Sequence, residues 1–336
     1  MPRICIIPQA TNTGGVTSFQ ANLSAGLKAR GIQVCHDLDE TPFDAVLLTS
    51  TTRNLPGLLR LRRQGLRIVQ RLDGINWLHR RLRTGVNHFL RAEYGNRLLA
   101  MLRARMATHI VYQSEFVHGW WARRFSPERV PSVVIHNGVD LSAYSPDGPQ
   151  ERPTDSFRLL LVEGSLQGGY ETGLATAIGL AERLVEKFPL ELMVVGRLSP
   201  ELQARYQEKS RVFISLAGLV PRDQIPVLDR SAHLLYSADI NAACPNSVIE
   251  ALACGLPVVA FATGALPEIV NGDAGRLVAY GGDAWKLEAP DLPALVEAAV
   301  EVLQNNGHFR VAARQRAEQA FGLDTMVERY LDVLLG

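Results

Sequence analysis

The residues best suited to chemistry are concentrated in the segment 244–259, which reads CPNSVIEALACGLPVV. Asn246 or Ser247 can cap a helix that begins there. The free amides at Ser247 and Val248 would present the positive end of the helix dipole to a diphosphate. Glu250 follows in the first turn, where a carboxylate could hold a ribose diol. The alternative is a surface carboxylate that the helix dipole favours.

Two glycine-rich turns, each directly after a predicted strand, suit the close approach of a phosphate-bearing ligand. The first places Gly14 and Gly15 ahead of a helix, where backbone amides favour negative charge. The pattern G-x-G-x-x-G is absent, which argues against a nicotinamide-binding domain. Either turn alone could equally be a structural connection, but two corresponding turns are more specific. The second turn, residues 163–169, reads EGSLQGG and begins with the candidate contacts Glu163, Gly164 and Ser165.

The chain has 336 residues, which at roughly 150 residues per domain indicates two domains. Short apolar strands alternate with amphipathic helical stretches, the pattern of a parallel sheet covered by helices on both faces. Turn formers between 136 and 153 interrupt this alternation. We therefore predict two doubly wound α/β domains, over 1–145 and 150–320, with a C-terminal helix near 322–336 packing back on the first. Ligands bind beyond the carboxyl ends of such strands, so we expect the chemistry in a cleft between the domains.

The apolar runs predict ten strands and locate several helices. Helices are expected over 17–30, from about 246, and over 324–335. The predicted strands are 4–8, 45–49, 67–70, 109–112, 132–135, 157–162, 190–195, 212–215, 233–236 and 257–260.

Charge divides the chain into a basic and an acidic half. Residues 1–150 carry 19 Lys and Arg against 10 Asp and Glu, whereas the remainder carries 16 against 24. Sixteen arginines lie between 53 and 129, and with Trp77, Trp120 and Trp121 they resemble a surface for anionic lipid head groups or a lipid-phosphate acceptor. The alternative is an arginine-rich solvated helix. Nucleic acid is not expected, because no recognised motif accompanies the charge. The candidates for this acceptor or membrane side are Arg71, Trp77, Arg80 and Arg81.

Composition excludes several classes of protein. Hydrophobic residues make up 47% and charged residues 21%, the balance of a soluble globular protein. No apolar run reaches ~18 residues, so no spanning helix is expected. The first apolar run is too short for a signal peptide, which predicts a cytoplasmic protein, with peripheral contact at the inner face of the plasma membrane. The four cysteines lack metal or redox spacing and are expected to be buried hydrophobes, with no metal site.

Several segments resemble the retaining glycosyltransferases of family 4, which have the GT-B architecture of two facing doubly wound domains. The most specific matches are the segment 244–259 and the linker Asn137-Gly138-Val139-Asp140. Further matching pieces are Gly14-Gly15, 218–222 (GLVPR), 263–270 (TGALPEIV) and 275–278 (GRLV).

The resemblance implies transfer of a sugar from a nucleotide-sugar to a glycan or lipid-linked acceptor, with retention at the anomeric carbon and without metal or cofactor. The donor would lie on the second domain. Its base would contact the backbone near Leu219 and Val220, and its ribose would contact Glu250. Its diphosphate would lie at the Ser165 turn and the helix start at Ser247. The leaving phosphate commonly acts as the base in such enzymes, so the main task is electrostatic stabilisation of the diphosphate.

The chain departs from the family pattern on the donor side. The family signature is a pair of glutamates separated by seven residues, and Ala242 occupies the first of these positions. The sugar contact that this glutamate makes would be absent, or supplied by Asp239 or Asn241. The turn at Ser165 also holds no cation where the family carries an Arg and a Lys. Candidate replacements are Arg197 and Arg222, although either could be a solvated surface group.

In the first domain, the family's cleft histidine would be expected near residue 73, and Asp73 occupies that place. A carboxylate there could stabilise the positive charge that develops on the sugar or orient an acceptor hydroxyl. The alternative is a turn formed by Asp73 and Gly74 after a strand. Two other functions remain open at this stage: a GT-B epimerase or phosphorylase, and a catalytically silent relative that binds a sugar or a partner. Ala242 and the turn without cations favour the silent relative.

Overall fold

The computed structural model describes residues 1–11, 14–166 and 171–336. The chain forms two compact units, one of residues 1–138 with 322–336 and one of residues 139–321. The chain passes from the first unit to the second at Gly138 and Val139, earlier than the boundary of 145 to 150 that the turn formers suggest.

The first unit is built on a parallel sheet with the strand order β2-β1-β3-β4-β5-β6. Its strands form because short apolar runs are buried on both faces; β3 is buried at every residue. The strands are β1 (Arg3–Ile7), β2 (Gln33–Cys35), β3 (Ala45–Leu48), β4 (Arg67–Leu72), β5 (His109–Tyr112) and β6 (Ser132–Val134). The helices between them are α1 (Gly15–Ala29), α2 (Leu55–Arg63), α3 (Val86–Arg105) and α4 (Glu115–Phe125), with a short 3-10 helix at Leu78–Arg80.

The second unit repeats this design, with the strand order β12-β11-β10-β7-β8-β9. All its strand pairs are parallel. The strands are β7 (Phe157–Ser165), β8 (Leu190–Arg197), β9 (Phe213–Gly218), β10 (Leu234–Tyr236), β11 (Val258–Phe261) and β12 (Gly275–Val278). The helices are α5 (Glu171–Leu184), α6 (Pro200–Lys209), α7 (Ile225–Ser231), α8 (Asn246–Ala253), α9 (Leu266–Ile269), α10 (Leu292–Gln304) and α11 (Asn306–Ala320), with 3-10 helices at Arg222–Gln224, Gly272–Ala274 and Ala284–Lys286.

The C-terminal helix α12 (Leu323–Leu335) returns to the first unit and packs on α1. Tyr330 lies against Phe19, with 5.2 Å between the ring centroids. Gly26 lets the two helices approach, because a Cβ at that position would overlap Val327. These contacts join the last residues of the chain to a core formed near its start.

All ten predicted strands are present, to within three residues at each end. Two further strands, β2 and β12, were not predicted. The first has only three residues, and the second begins with Gly275 and Arg276, so neither contains an extended apolar run. The four cysteines are free and buried, as expected. Among the described helices, none combines the length and hydrophobicity needed to span a membrane.

Candidate functional site

In the second unit, β7 and β10 are neighbours at the point where the strand order reverses. Ligands bind at such switch points, beyond the carboxyl ends of the strands. Glu163 and Ser165 lie there, but within the end of β7 rather than in a turn after it. The pairing of β7 with β8 is irregular between Val162 and Ser165, and it resumes with Ser165 opposite Arg197. Arg197 is exposed at this edge of the sheet, next to the predicted turn.

The remaining glycines of that turn, Gly168 and Gly169, lie outside the described residues, as does Thr13 beside the first glycine turn. Gly164 is exposed at the end of β7. In the first unit, Gly14 precedes α1 with a φ of 145°, and a Cβ there would meet no described atom within 4 Å. Gly15 is the exposed first residue of α1. Among the described atoms, none would lie within 4 Å of a Cβ at Gly164 either.

Helix α8 begins at Asn246 as the sequence predicts, but it is not capped as predicted. Pro245 occupies the cap position and no side chain caps the helix. Asn246 and Ser247 instead lie inside the first turn, together with the buried Val248. The backbone amides of this turn have no acceptor within the helix, so they can bind an anion.

Glu250 lies in the second turn of α8 rather than the first, and it is buried. The alternative of a surface carboxylate is therefore wrong. Burial raises the pKa of Glu250 to about 7, opposed by the charge of Arg222 and a hydrogen bond from Tyr144. The guanidinium of Arg222 lies 3.9 Å from Oε1 of Glu250. Arg222 is thus an ion-pair partner of the predicted ribose ligand, a contact that the sequence did not predict.

A second carboxyl group, that of Asp229 on α7, interacts with Glu250. Both of its oxygens are buried without a hydrogen-bond partner among the described residues. Burial raises the pKa of Asp229 well above the usual range, and the charge of Glu250 raises it further, against the attraction of Arg230. Both effects favour the protonated form of Asp229, a residue that sequence reasoning did not identify.

Another acidic pair lies at the switch point, with Glu163 in the end of β7 and Asp239 in the loop after β10. Burial raises the pKa of both carboxyl groups, and the charge of Asp239 raises that of Glu163 further. Ala242, at the position of the missing family glutamate, is buried. Asn241 is also buried, with its side-chain nitrogen unpartnered among the described atoms. Of the two substitutes considered from the sequence, Asp239 is the one that interacts with a second predicted donor contact.

The loop after β9 carries the predicted base contacts. Leu219 is exposed and Val220 half-buried. An exposed leucine beside the carboxyl end of a strand offers an apolar surface for a flat ring. The loop continues directly into the 3-10 helix that begins at Arg222. The base contacts and the partner of Glu250 therefore belong to one short segment.

In the first unit, Asp73 directly follows β4, at the carboxyl edge of the sheet. Its side chain is 36% exposed, and its carbonyl oxygen accepts a 2.7 Å hydrogen bond from the indole of Trp121. Partial burial raises the pKa of Asp73, whereas the charge of Arg71 and a hydrogen bond from Gln113 act to lower it. Asp73 is thus accessible at one side and held by neighbours at the other.

Arg71 does not belong to an acceptor or membrane surface as predicted. It is 1% exposed, and its guanidinium lies 3.8 Å from the ring centroid of Phe19. Trp120 and Trp121 are also buried, so these two tryptophans do not extend the basic surface. Cation–π stacking and apolar packing explain why these large side chains lie in the core.

The other predicted members of that surface have mixed environments. Trp77 is half-buried and Arg81 is exposed. Arg80 is exposed but forms an ion pair with Glu93, 2.6 Å from Nε to Oε1. His79, which is buried, contacts the same carboxylate at 2.8 Å. Arg80 is therefore a partner of Glu93, and Arg81 is the freer cation.

Residues 158–305 match the family described as Glycosyl transferases group 1. This match lies within the second unit, which spans residues 139–321. The chain is 31% identical over 231 residues to D-inositol 3-phosphate glycosyltransferase 1 of Catenulispora acidiphila, covering 62% of this chain and 52% of that protein. It is 29% identical over 143 residues to a subunit of human phosphatidylinositol N-acetylglucosaminyltransferase, covering 41% and 28%. The chain thus spans about half, or less, of these relatives.

Two solved structures share the fold over almost the whole chain. Sucrose-phosphate synthase from Thermosynechococcus elongatus has a TM-score of 0.73 and 16% identity, covering 99% of this chain and 98% of the other. Anabaena HepE in complex with UDP-glucose has a TM-score of 0.73 and 17% identity, covering 99% of both chains. The predicted fold class, GT-B with two Rossmann-like domains, is confirmed.

The segment that matches the family includes most of the predicted donor contacts, from Glu163 to Glu250. Two of the unpredicted polar contacts have a visible signal in the sequence. Gln113 directly follows a predicted strand, and Asn137 belongs to the linker that the resemblance singled out. Asp229 has no such signal, because its unpartnered state arises only from packing.

Proposed function

We propose that this protein is a metal-independent, retaining glycosyltransferase of family 4 type, which transfers a sugar from a nucleotide-sugar to a glycan or lipid-linked acceptor. One observation carries the proposal: the amides that begin α8 and the buried carboxylate of Glu250 lie on one short helix, within a group 1 glycosyltransferase domain. These groups match the diphosphate and the ribose of a nucleotide-sugar.

The proposed donor occupies the carboxyl edge of the second sheet. The ribose diol donates to Glu250, while the base packs near Leu219 and Val220. The amides of α8 stabilise the diphosphate, and Arg197 replaces the cations that the family carries in its first turn. The chain contributes positive charge where the leaving diphosphate gains negative charge, which is the largest electrostatic demand of the reaction.

The sugar of the donor would be held by the acidic pair Glu163 and Asp239. Each strand end contributes one carboxyl group, and burial favours protonation. A protonated pair can both donate to and accept from sugar hydroxyls, so it can substitute for the carboxylate missing at Ala242. On the acceptor side, Asp73 accepts a hydrogen bond from a hydroxyl or stabilises developing positive charge.

Relatives and structural neighbours support the substrate class. The HepE structure holds UDP-glucose, and two relatives are named for inositol-containing phosphates. We propose a donor of the same nucleotide-sugar class and an acceptor that carries a phosphate or a lipid. A silent sugar-binding relative stays the alternative, because Ala242 and the turn without cations distinguish this chain from the family pattern.

Binding and turnover test the proposal together. A thermal-shift screen against nucleoside diphosphates and nucleotide-sugars selects the donor, and calorimetry then compares wild type with Glu250→Ala. We expect a loss of about 1.5–3 kcal/mol, or roughly 10- to 150-fold in affinity, since a charge-assisted hydrogen bond is removed. Unchanged affinity with an intact fold would exclude the ribose role.

Slow hydrolysis of the selected donor distinguishes an enzyme from a silent relative, and epimerised or phosphorolysed products would indicate the other enzyme classes.

We further propose that α3 places the protein on the inner face of the plasma membrane. Val86, Phe89, Leu90 and Tyr94 are exposed and recur at helical spacing on one face of α3. Other residues of the helix, including Ala92 and Asn96, are buried in the first unit. Exposed arginines flank the apolar face: Arg81, Arg83, Arg91 and Arg97. An apolar face rimmed by cations fits a surface of anionic lipids.

Vesicle sedimentation tests this contact. Wild type should bind vesicles that contain phosphatidylglycerol more strongly than vesicles of phosphatidylcholine alone, and added salt should weaken the binding. The double variant Phe89→Ser/Leu90→Ser should lose it. Val311→Ser is the matched control, because Val311 is an exposed apolar residue on a helix of the second unit. Equal sedimentation of wild type and the double variant would refute the role of α3.

A further inference from the structure

A chain of buried side chains leads from Arg71 to Asp73 through the ends of three neighbouring strands. Nη2 of the Arg71 guanidinium donates to Oδ1 of Asn137 at 2.9 Å. Nδ2 of Asn137 donates to Oε1 of Gln113 at 3.3 Å. The side chain of Gln113 in turn acts on the carboxyl group of Asp73 and lowers its pKa through a hydrogen-bonding interaction. Arg71 lies near the end of β4, and Asp73, Gln113 and Asn137 lie beyond the ends of β4, β5 and β6. These strands are neighbours in the sheet, so the sheet places the four side chains in one row.

The direction of these hydrogen bonds is fixed at one end. A guanidinium can only donate, so Asn137 must turn its oxygen towards Arg71 and its NH2 towards Gln113. Gln113 must then accept through its oxygen, which leaves its NH2 to face Asp73. A donor of this kind is matched by a carboxylate and not by the O–H of a protonated acid. The orientation of two amides therefore depends on one buried cation.

The direct contact between Arg71 and Asp73 is weaker than the chain of hydrogen bonds that runs through Asn137 and Gln113. Nη1 of Arg71 lies 3.7 Å from Oδ2 of Asp73, beyond hydrogen-bonding distance. Nε and Nη1 of Arg71 have no hydrogen-bond partner among the described residues. Retaining an incompletely paired cation in the core is costly, which is more readily explained by a role at the accessible Asp73 than by stability.

We propose that Gln113 and Asn137 are positioning residues: Arg71 fixes the orientation of their amide groups, and Gln113 then favours the ionised, hydrogen-bond-accepting form of Asp73. This inference rests on the proposed function for its use, since it identifies the ligand group at Asp73 as a hydroxyl or a developing cation. Arg71 and Gln113 interact with one part of the Asp73 carboxylate. The exposed part of this carboxylate is available to a substrate.

The interactions at Asp73 determine the direction in which its pKa should move when Gln113 is replaced. Among the described residues, the charged group that acts on Asp73 is Arg71, and the hydrogen-bonding side chain is Gln113; both favour the ionised form. Burial favours the neutral form and prevails, so the pKa of Asp73 is raised. Removing the amide donor of Gln113 should therefore raise this pKa further.

The experiment is a carbon-13 NMR titration of the full chain labelled at aspartate carboxyl groups, in which Asp73→Asn identifies the Asp73 signal. Gln113→Met removes the donor with little change in shape, and we expect the pKa of Asp73 to rise by about one unit. Asn137→Leu, which releases Gln113 to rotate, should give a smaller rise. Gln70→Met is the matched control, because Gln70 is an equally buried glutamine that donates to the carbonyl of Leu99.

An unchanged titration in Gln113→Met, with the fold intact by circular dichroism, overturns the proposal, as does an equal rise in Gln70→Met. If Gln113→Met does not fold, Asn137→Leu decides by the same criterion. The titration needs no substrate, so it stands even if no donor is turned over and the proposed function fails. With a donor in hand, the acidic limb of the turnover profile should move to higher pH in Gln113→Met and stay in place in Gln70→Met.

Discussion

Arg222 lies 3.9 Å from Glu250 and opposes the effect of burial on that carboxyl group. Burial prevails, and the pKa of Glu250 rises to about 7. The proposed ribose ligand thus changes its charge near neutral pH in the unliganded protein. Its hydrogen-bonding capacity changes with it, because only the ionised form accepts through both oxygens without carrying a proton.

This relationship predicts a pH dependence of nucleotide binding. Between pH 6 and 8 the fraction of ionised Glu250 increases, so affinity for the nucleoside diphosphate selected by screening should rise by up to about tenfold. Calorimetry across this range measures the effect. Glu250→Gln should remove the rise, and so should the 2′-deoxy form of the same nucleotide, which lacks one hydroxyl of the diol. A fall in affinity with pH, or the same rise in Glu250→Gln, would contradict the assignment.

The sequence predicted the donor-side elements well because their signals are local. The start of α8 follows from a proline, an asparagine and a serine ahead of an apolar run, and Glu250 is fixed by its spacing on that helix. The strand ends follow from short apolar runs. What local signals did not show is the environment of Glu250, because its partners Arg222 and Tyr144 come from distant segments of the chain.

The first unit shows where such reasoning fails. Arginine and tryptophan in a basic stretch suggested a surface, yet Arg71 stacks on Phe19 and Trp121 reaches Asp73. Both partners lie about fifty residues from them in sequence, on other elements. Side-chain type alone does not distinguish a solvated arginine from one enclosed by an aromatic ring and an asparagine. The membrane-facing residues proposed here, such as Phe89, were found only through their exposure.

Arg197 offers a test of the missing cations. If it replaces the family's diphosphate clamp, Arg197→Ala should reduce affinity for a nucleoside diphosphate by about tenfold and leave affinity for the bare nucleoside almost unchanged. Arg211→Ala is the matched control, since Arg211 is also exposed but precedes β9 at the opposite, amino end of the strands. Calorimetry with both ligands decides. Equal losses for the two ligands would show that Arg197 does not contact phosphate.

The buried carboxyl group of Asp229 should lower the free energy of unfolding as pH rises. Its pKa is raised in the folded protein, so above the unfolded value near 3.9 the unfolded chain ionises while the folded chain retains the proton. Folded-state stability is then lost progressively with increasing pH. Asp229→Asn removes this loss, and its melting temperature relative to wild type should increase between pH 5 and pH 8, by a few degrees. The exposed Asp223→Asn is the control and should show no such trend. A constant difference at all pH values would indicate that Asp229 is ionised in the fold.

Asp73 provides the decisive test of the acceptor side. It follows β4 at the carboxyl edge of the first sheet, accessible on one side and held by Gln113 on the other. An ionised carboxylate cannot donate a hydrogen bond, so its contribution is to accept one from a hydroxyl or to stabilise positive charge.

Asp73→Asn keeps the shape of the side chain and removes its charge. We therefore expect turnover to fall by roughly 10²- to 10³-fold, the effect of removing one well-placed electrostatic group, with donor affinity little changed. Steady-state kinetics with an identified acceptor, together with donor titration by calorimetry, separate the two quantities. Wild-type turnover in Asp73→Asn would mean that Asp73 only shapes the turn before Gly74.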